Sequence, residues 1–131
     1  MYNYKKSAPL GYADAVAKVK DELKKEGFGV LTEIDVKQTL KTKLNVDFED
    51  YIILGACNPP LAYQALTAER DIGVLLPCNV IVYVQDGKTY VSAVLPTVQL
   101  GKVGNPKLLP IAEQVESKLK KVVDATAKTG R

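Results

Sequence analysis

A β-hairpin signal in the second half of the chain limits the folds available to all of it. Residues 79–85 and 88–95 are rich in Val, Ile and Tyr, and Asp86-Gly87 stands between them. Asp-Gly favours the positive φ angles of a type I′ turn, and β-branched flanks favour strands. Because a hairpin pairs antiparallel strands, the sheet cannot be entirely parallel.

The rest of the chain alternates between strand-like and helix-like apolar periods. Asp35 and Asn58 are suitable helix N-caps, and Gly27 is a suitable helix end. The predicted elements are strand 2–7, helix 12–26, strand 28–34, helix 36–44, strand 51–57, helix 59–68, the hairpin, and a last helix from near 110. Residues 72–76 are predicted as a short strand or buried connector, 96–106 as a loop, and 127–131 as a frayed tail. This order, β-α-β-α-β-α-β-β-α, predicts an α+β fold with helices packed on a mixed, mainly antiparallel sheet.

Length and composition fit one globular domain. The chain has 131 residues, of which 47% are hydrophobic and 25% charged, so we expect residues 1–131 to form a single domain. The apolar stretches are strand-sized, and no apolar segment follows the basic start, so we expect neither a membrane span nor a secretory signal. Two cysteines do not make an extracellular disulfide framework, which favours a cytoplasmic protein with reduced thiols.

The charged residues argue against a nucleic-acid partner. The formal net charge is +3, but only Arg70 and Arg131 among the 18 basic residues are arginines. Nucleic-acid sites favour arginine, often with aromatic residues for stacking. Here lysines alternate with acids along predicted helix faces, so we expect a solvated surface and no nucleic-acid binding.

The absence of histidine excludes several kinds of chemistry. The sequence contains no histidine, and therefore no Ser-His-Asp or Cys-His arrangement and no imidazole metal ligand. It has neither a GxGxxG fingerprint nor a Walker loop. We expect no bound cofactor and no metal site.

Two Cys-Asn dipeptides are the strongest chemical candidates. Cys57-Asn58 and Cys78-Asn79 each stand next to a proline at the edge of an apolar strand. Cys57 precedes a predicted helix N-terminus, where the helix dipole favours a thiolate and a lowered pKa. If the two strands are neighbours, both thiols lie at one rim of the sheet.

Several readings of these residues remain open. The thiols could form a reversible disulfide, attack an electrophile, or provide half of a metal site; equally, free cysteine often serves as a small buried hydrophobe. Asn58 is explained by helix capping, and Asn79 by a turn. Glu33 and Asp35 could act as an acid–base pair, although Asp35 is more simply an N-cap.

Three segments carry a family resemblance. Gly27–Leu31, Gly55–Pro60 and Leu75–Val80 resemble segments of the prokaryotic family called domain of unknown function 302, and the resemblance spans nearly the whole chain. It implies an α+β fold, frequent pairing into dimers and no established activity. Many members lack both cysteines, so Cys57 and Cys78 suggest a subgroup with two Cys-Asn motifs.

Three functions follow as hypotheses. The first is a homodimeric small-ligand-binding module, with a pocket near Cys57, Asn58, Cys78 and Asn79 and with Glu33 close by. The second is a redox or transfer enzyme in which Cys57 is the nucleophile and Cys78 the assisting thiol. The third is a structural or assembly module with buried cysteines.

Overall fold

The fold is built on a five-stranded sheet in which each strand pairs antiparallel to its neighbours. The computed structural model describes residues 1–128. The strands are β1 (Asn3–Ala8), β2 (Gly29–Asp35), β3 (Tyr51–Cys57), β4 (Cys78–Gln85) and β5 (Lys88–Val94), in the spatial order β1-β5-β4-β3-β2. The helices are α1 (Tyr12–Lys25), α2 (Val36–Leu44), α3 (Pro59–Ala68), α4 (Pro96–Gly101) and α5 (Leu108–Lys128), with a 3-10 helix at Arg70–Leu75. The predicted α+β class is confirmed.

The hairpin forms as the sequence predicts. Asp86 and Gly87 have φ angles of 52° and 77°, the positive values that a type I′ turn requires. The two-residue loop fixes the register and places Tyr83 opposite Tyr90. This register assigns each residue of β4 and β5 to one face of the sheet.

One face of the sheet carries the core. Helices α1 and α5 pack against it and against each other. The side chains that this face contributes are fully or almost fully buried, among them Leu54, Val80, Val82, Val91 and Ala93. Burial of such a continuous aliphatic layer is the main stabilising contribution in a domain of this size.

The opposite face carries an aromatic row. The rings of Tyr51 and Tyr83 stack with centroids 5.2 Å apart, and Tyr90 lies 5.4 Å from Tyr83. The Lys5 Nζ lies 4.5 Å from the Tyr90 ring centroid, within the range of a cation–π contact. The aromatic row therefore extends across β3, β4 and β5 and ends at β1.

Four local predictions need correction. Residues 72–76 are a connector and not a strand: a 3-10 helix runs to Leu75, with Ile72 buried and Val74 exposed. The predicted loop 96–106 contains α4, whereas the last helix begins at Leu108, with Pro110 near its start as predicted. Residues 127 and 128 of the predicted frayed tail belong to α5, whereas 129–131 lie outside the described residues. The parallel strand pairs that a mixed sheet allows do not occur within residues 1–128.

Candidate functional site

A cavity of about 300 Å³ lies at the end of the sheet where β3 stops and β4 starts. Helices α3, α4 and α5 and the 3-10 helix supply most of its wall. The aliphatic lining comes from small and medium side chains, including Ala56, Leu61, Ala62, Ala65, Leu76, Leu100, Ile111 and Val115. Among residues 1–128, no charged side chain lines this cavity. The lining of the cavity is therefore mainly apolar.

The local sequence explains why both cysteines reach this cavity. Strand β3 ends at Cys57, and β4 begins at Cys78, which pairs with Ala56 across the two strands. Asn58 then caps α3, whose first residue is Pro59, a residue that suits the first turn of a helix. Neighbouring strands thus place the two thiols at one rim of the sheet, as the sequence predicts, and both line the cavity.

Asn58 supports the cavity wall. Its Oδ1 accepts a hydrogen bond from the Leu61 N–H at 3.4 Å, and its Nδ2 donates to the Glu26 carbonyl oxygen at 3.2 Å. These bonds fix the start of α3 against the end of α1. Because its oxygen and its amide nitrogen are both already engaged, Asn58 has a structural role that needs no ligand.

The thiols are the remaining polar groups of the wall. Cys57 and Cys78 are both partly buried free cysteines. Burial, followed by electrostatic repulsion from the nearby Cys57, raises the pKa of Cys78 to about 11. Cys78 is therefore protonated at neutral pH and behaves as a weak hydrogen-bond donor in an apolar wall.

Two predicted site residues lie elsewhere. Asn79 is exposed and does not line the cavity. Glu33 is exposed on β2, with its carboxylate 2.9 Å from the Lys20 Nζ in an ion pair. Asp35 accepts a hydrogen bond from the Gln38 N–H at 3.0 Å and caps α2, which confirms its reading as an N-cap. The structure does not bring Asn79 and Glu33 into one site with the cysteines.

The sequence did not point to α4 as part of the wall. Pro96 and Leu100 both line the cavity. The Thr97 N–H and hydroxyl donate to Glu116 Oε1 at 3.0 and 2.7 Å, so α5 holds the start of α4. Although burial acts to raise the pKa of Glu116, hydrogen bonds from Thr97 and the Lys120 charge lower it. The only local signal for α4 is Pro96, which is suited to a helix start.

The described residues contain neither a cluster of metal ligands nor a membrane-spanning helix. Across residues 1–128, no group of three or more Cys, Asp or Glu side chains is arranged to hold a metal ion. None of the helices described here is long and apolar enough to cross a membrane.

Comparison with known proteins identifies the family. The family model described as domain of unknown function DUF302 matches residues 4–126. The chain belongs to the DUF302 family. Its fold is similar to the crystal structure of an uncharacterised conserved DUF302 protein from Bacillus stearothermophilus, with a TM-score of 0.91 and 32% sequence identity. The match covers 96% of this chain and 98% of the other, and the resemblance noted in the sequence is thereby confirmed for the family.

A search among curated proteins finds no match. DUF302 membership therefore assigns the fold and leaves the activity open. The crystal structure is described as an uncharacterised protein, so the chemistry of this DUF302 chain has to be argued from its own residues.

Proposed function

We propose that this protein binds a small uncharged apolar molecule in the cavity at the ends of β3 and β4. The observation that carries the proposal is the wall itself: among residues 1–128 no charged side chain lines it, and the side-chain amide of Asn58 is already hydrogen-bonded. A charged or strongly polar ligand would lose its hydration there without compensation. An apolar ligand has no such favourable hydration to lose when it enters the cavity.

The size of the cavity limits the ligand. A dry apolar cavity of about 150 Å³ holds benzene. The cavity of about 300 Å³ described here is at the lower end of the range for small-molecule sites. A compound of two fused rings, or a branched chain of similar volume, matches this space.

The ligand proposal is tested with naphthalene as the probe. We expect naphthalene to raise the melting temperature of the wild-type protein, because a ligand that binds only the folded state stabilises it. Ala62 lines the cavity and is half-buried, and Ala62→Phe fills the space. We expect this variant to bind naphthalene at least about tenfold more weakly by titration calorimetry, a loss of about 1.4 kcal/mol.

The matched control is Ala17→Phe, at an exposed alanine on α1, which should bind naphthalene as the wild type does. Naphthalene-2-carboxylate should not bind, because the wall offers no charge partner. Equal binding of naphthalene by Ala62→Phe and wild type would count against the cavity as the site.

The protein is also proposed to be a homodimer that buries the rim of this cavity. Leu31 and Leu66 line the cavity and are 67% and 39% exposed, so they lie at its opening. Val74, next to the lining residue Gly73, is 86% exposed. Exposed apolar side chains grouped at one opening are typical of an interaction surface.

Light scattering tests the dimer. At micromolar concentration we expect twice the 14.3 kDa chain mass, and we expect the monomer mass for Val74→Asp, because the substitution places a charge in the interface. Val46→Asp, at an exposed valine beyond α2, should remain dimeric. A monomeric wild type would contradict the proposal and leave the ligand experiment unaffected.

A second candidate function uses the thiols, and the shared cavity wall is what favours it. In this hypothesis Cys57 is the nucleophile and Cys78 an assisting thiol, in a subgroup of the family with two Cys-Asn motifs. The raised pKa of Cys78 makes it a poor nucleophile at neutral pH. If neither thiol reacts and the cavity stays empty, the third hypothesis, a structural or assembly module, is favoured.

Alkylation of each thiol by iodoacetamide, resolved by peptide mass spectrometry, separates these hypotheses. We expect Cys78 to react slowly at pH 7 and to accelerate toward pH 11, because its folded pKa is raised to about 11 and the thiolate is the reactive form. Cys57→Ser should shift the Cys78 profile to lower pH but keep it above the ordinary range, because it removes the smaller of the two causes and leaves the burial. Fast reaction of Cys78 at pH 7 would contradict its burial in an apolar wall.

A further inference from the structure

A second concave site lies on the opposite face of the sheet. This groove has a volume of about 350 Å³. Its aromatic wall is formed by Phe48, Tyr51 and Tyr83, with the Phe48 and Tyr51 centroids 6.2 Å apart. Because the Tyr51 and Tyr83 rings stack on each other, this wall offers another ring mainly edge-to-face contacts, which aromatic pairs favour. The groove is separate from the apolar cavity, and none of the residues named here lines both.

The groove also contains two charges of opposite sign. Lys5 and Glu49 both line it, and within residues 1–128 neither side chain has an ion-pair partner. A hydrogen bond with Tyr83 is the main cause that raises the pKa of Lys5, so its ammonium stays charged. The Lys5 ammonium already contacts the Tyr83 and Tyr90 side chains, but among residues 1–128 neither Lys5 nor Glu49 is ion-paired, so a ligand that carries both charges can neutralise both.

Neutral polar groups complete the groove. Asn3 Nδ2 donates to the Ser92 hydroxyl oxygen at 2.9 Å, and both residues line the groove. Burial, followed by the electrostatic effect of Tyr83, raises the pKa of Tyr51 above its ordinary value, so its hydroxyl is neutral at pH 7. The site therefore offers one cation, one carboxylate, hydroxyl groups and ring faces, which is the usual mixture of a polar small-molecule site.

We infer that this groove binds an aromatic zwitterion of the amino-acid type. The ligand ring packs against the aromatic wall of the groove, its carboxylate pairs with Lys5, and its ammonium pairs with Glu49. A ligand with one charge satisfies only one of these two groups. An uncharged ring satisfies neither and gains only the aromatic contact.

Three indole compounds test this charge pattern by titration calorimetry. Tryptophan carries both charges, indole-3-propionate only the negative one, and tryptamine only the positive one. We expect tryptophan to bind most tightly, with each single-charge compound about fivefold weaker, the factor that one exposed ion pair supports. Binding in the range of about 1 mM is sufficient for the measurement.

Two charge-removing variants assign the partners. Lys5→Gln should weaken tryptophan and indole-3-propionate about fivefold and leave tryptamine unchanged, whereas Glu49→Gln should weaken tryptophan and tryptamine and leave indole-3-propionate unchanged. Both residues are exposed, so the variants are expected to fold. Lys88→Gln, an exposed lysine of β5 outside the groove, should change nothing.

Three outcomes would overturn the inference. These are no saturable binding of tryptophan, equal affinity for the three compounds, and equal loss in Lys5→Gln and Lys88→Gln. The apolar cavity has its own readout, because Ala62→Phe leaves the groove intact and should bind tryptophan as the wild type does. Failure of one site can therefore be told from failure of the other.

Discussion

Val82→Asp is expected to destabilise the protein severely. Val82 is fully buried in the middle of β4, where it pairs with Ile52 on one side and Val91 on the other. An aspartate there must either bury an unpaired charge or bind a proton against its normal pKa, and it also loses the packing of the valine. We expect a loss of about 4 kcal/mol or more, compared with a total stability of about 5–15 kcal/mol for a typical domain.

Denaturant unfolding monitored by circular dichroism measures this loss, with Asn79→Asp as the control. Asn79 is an exposed residue of the same strand, so the control adds the same charge without burial. It should change the free energy of unfolding by no more than about 0.5 kcal/mol. Similar stability of the two variants would show that the assigned face of β4 is wrong.

The strands and long helices were predictable because their signals are local. Asp86-Gly87 sets the hairpin by its own backbone preferences, and Asp35 and Asn58 cap the helices that follow them. In contrast, α4 depends on contacts with distant residues. Its first turn is held by Glu116, which lies 19 positions away from Thr97 in the sequence, and no local pattern contains that information.

The candidate site was predicted in part, for a similar reason. Cys57 and Cys78 end and begin neighbouring strands, so the element order was enough to bring them together. Asn79 directly follows Cys78 in β4, but successive residues of a strand point to opposite faces of the sheet. The side chain of Asn79 therefore lies outside the cavity that Cys78 lines. Glu33 pairs with Leu54 on β3 and reaches Lys20 of α1. The register of β2 against β3 shifts between Val30 and Thr32, and no local sequence pattern indicates this irregularity.

Gly55→Val is expected to be the second most damaging substitution, and it connects stability with the cavity. A Cβ atom at Gly55 would overlap the Thr32 Oγ1 and lie 2.8 Å from the Pro77 Cγ. The backbone around Pro77 would have to move, and Pro77 precedes Cys78 in the cavity wall. We expect a loss of about 2–3 kcal/mol, typical of overpacking at a buried site, together with weaker binding of naphthalene.

The control for this prediction is Gly29→Val, because nothing lies within 4 Å of a Cβ built there and valine suits a strand. It should be neutral or slightly stabilising. Adding Thr32→Ala to Gly55→Val removes the overlap with Oγ1 but keeps the contact with Pro77. We therefore expect the double variant to recover only part of the lost stability, with the deficit in naphthalene binding retained. Full recovery of the stability and of naphthalene binding would mean that the overlap with Thr32 is the whole reason for a glycine at position 55. It would also mean that Pro77 can shift without disturbing the cavity.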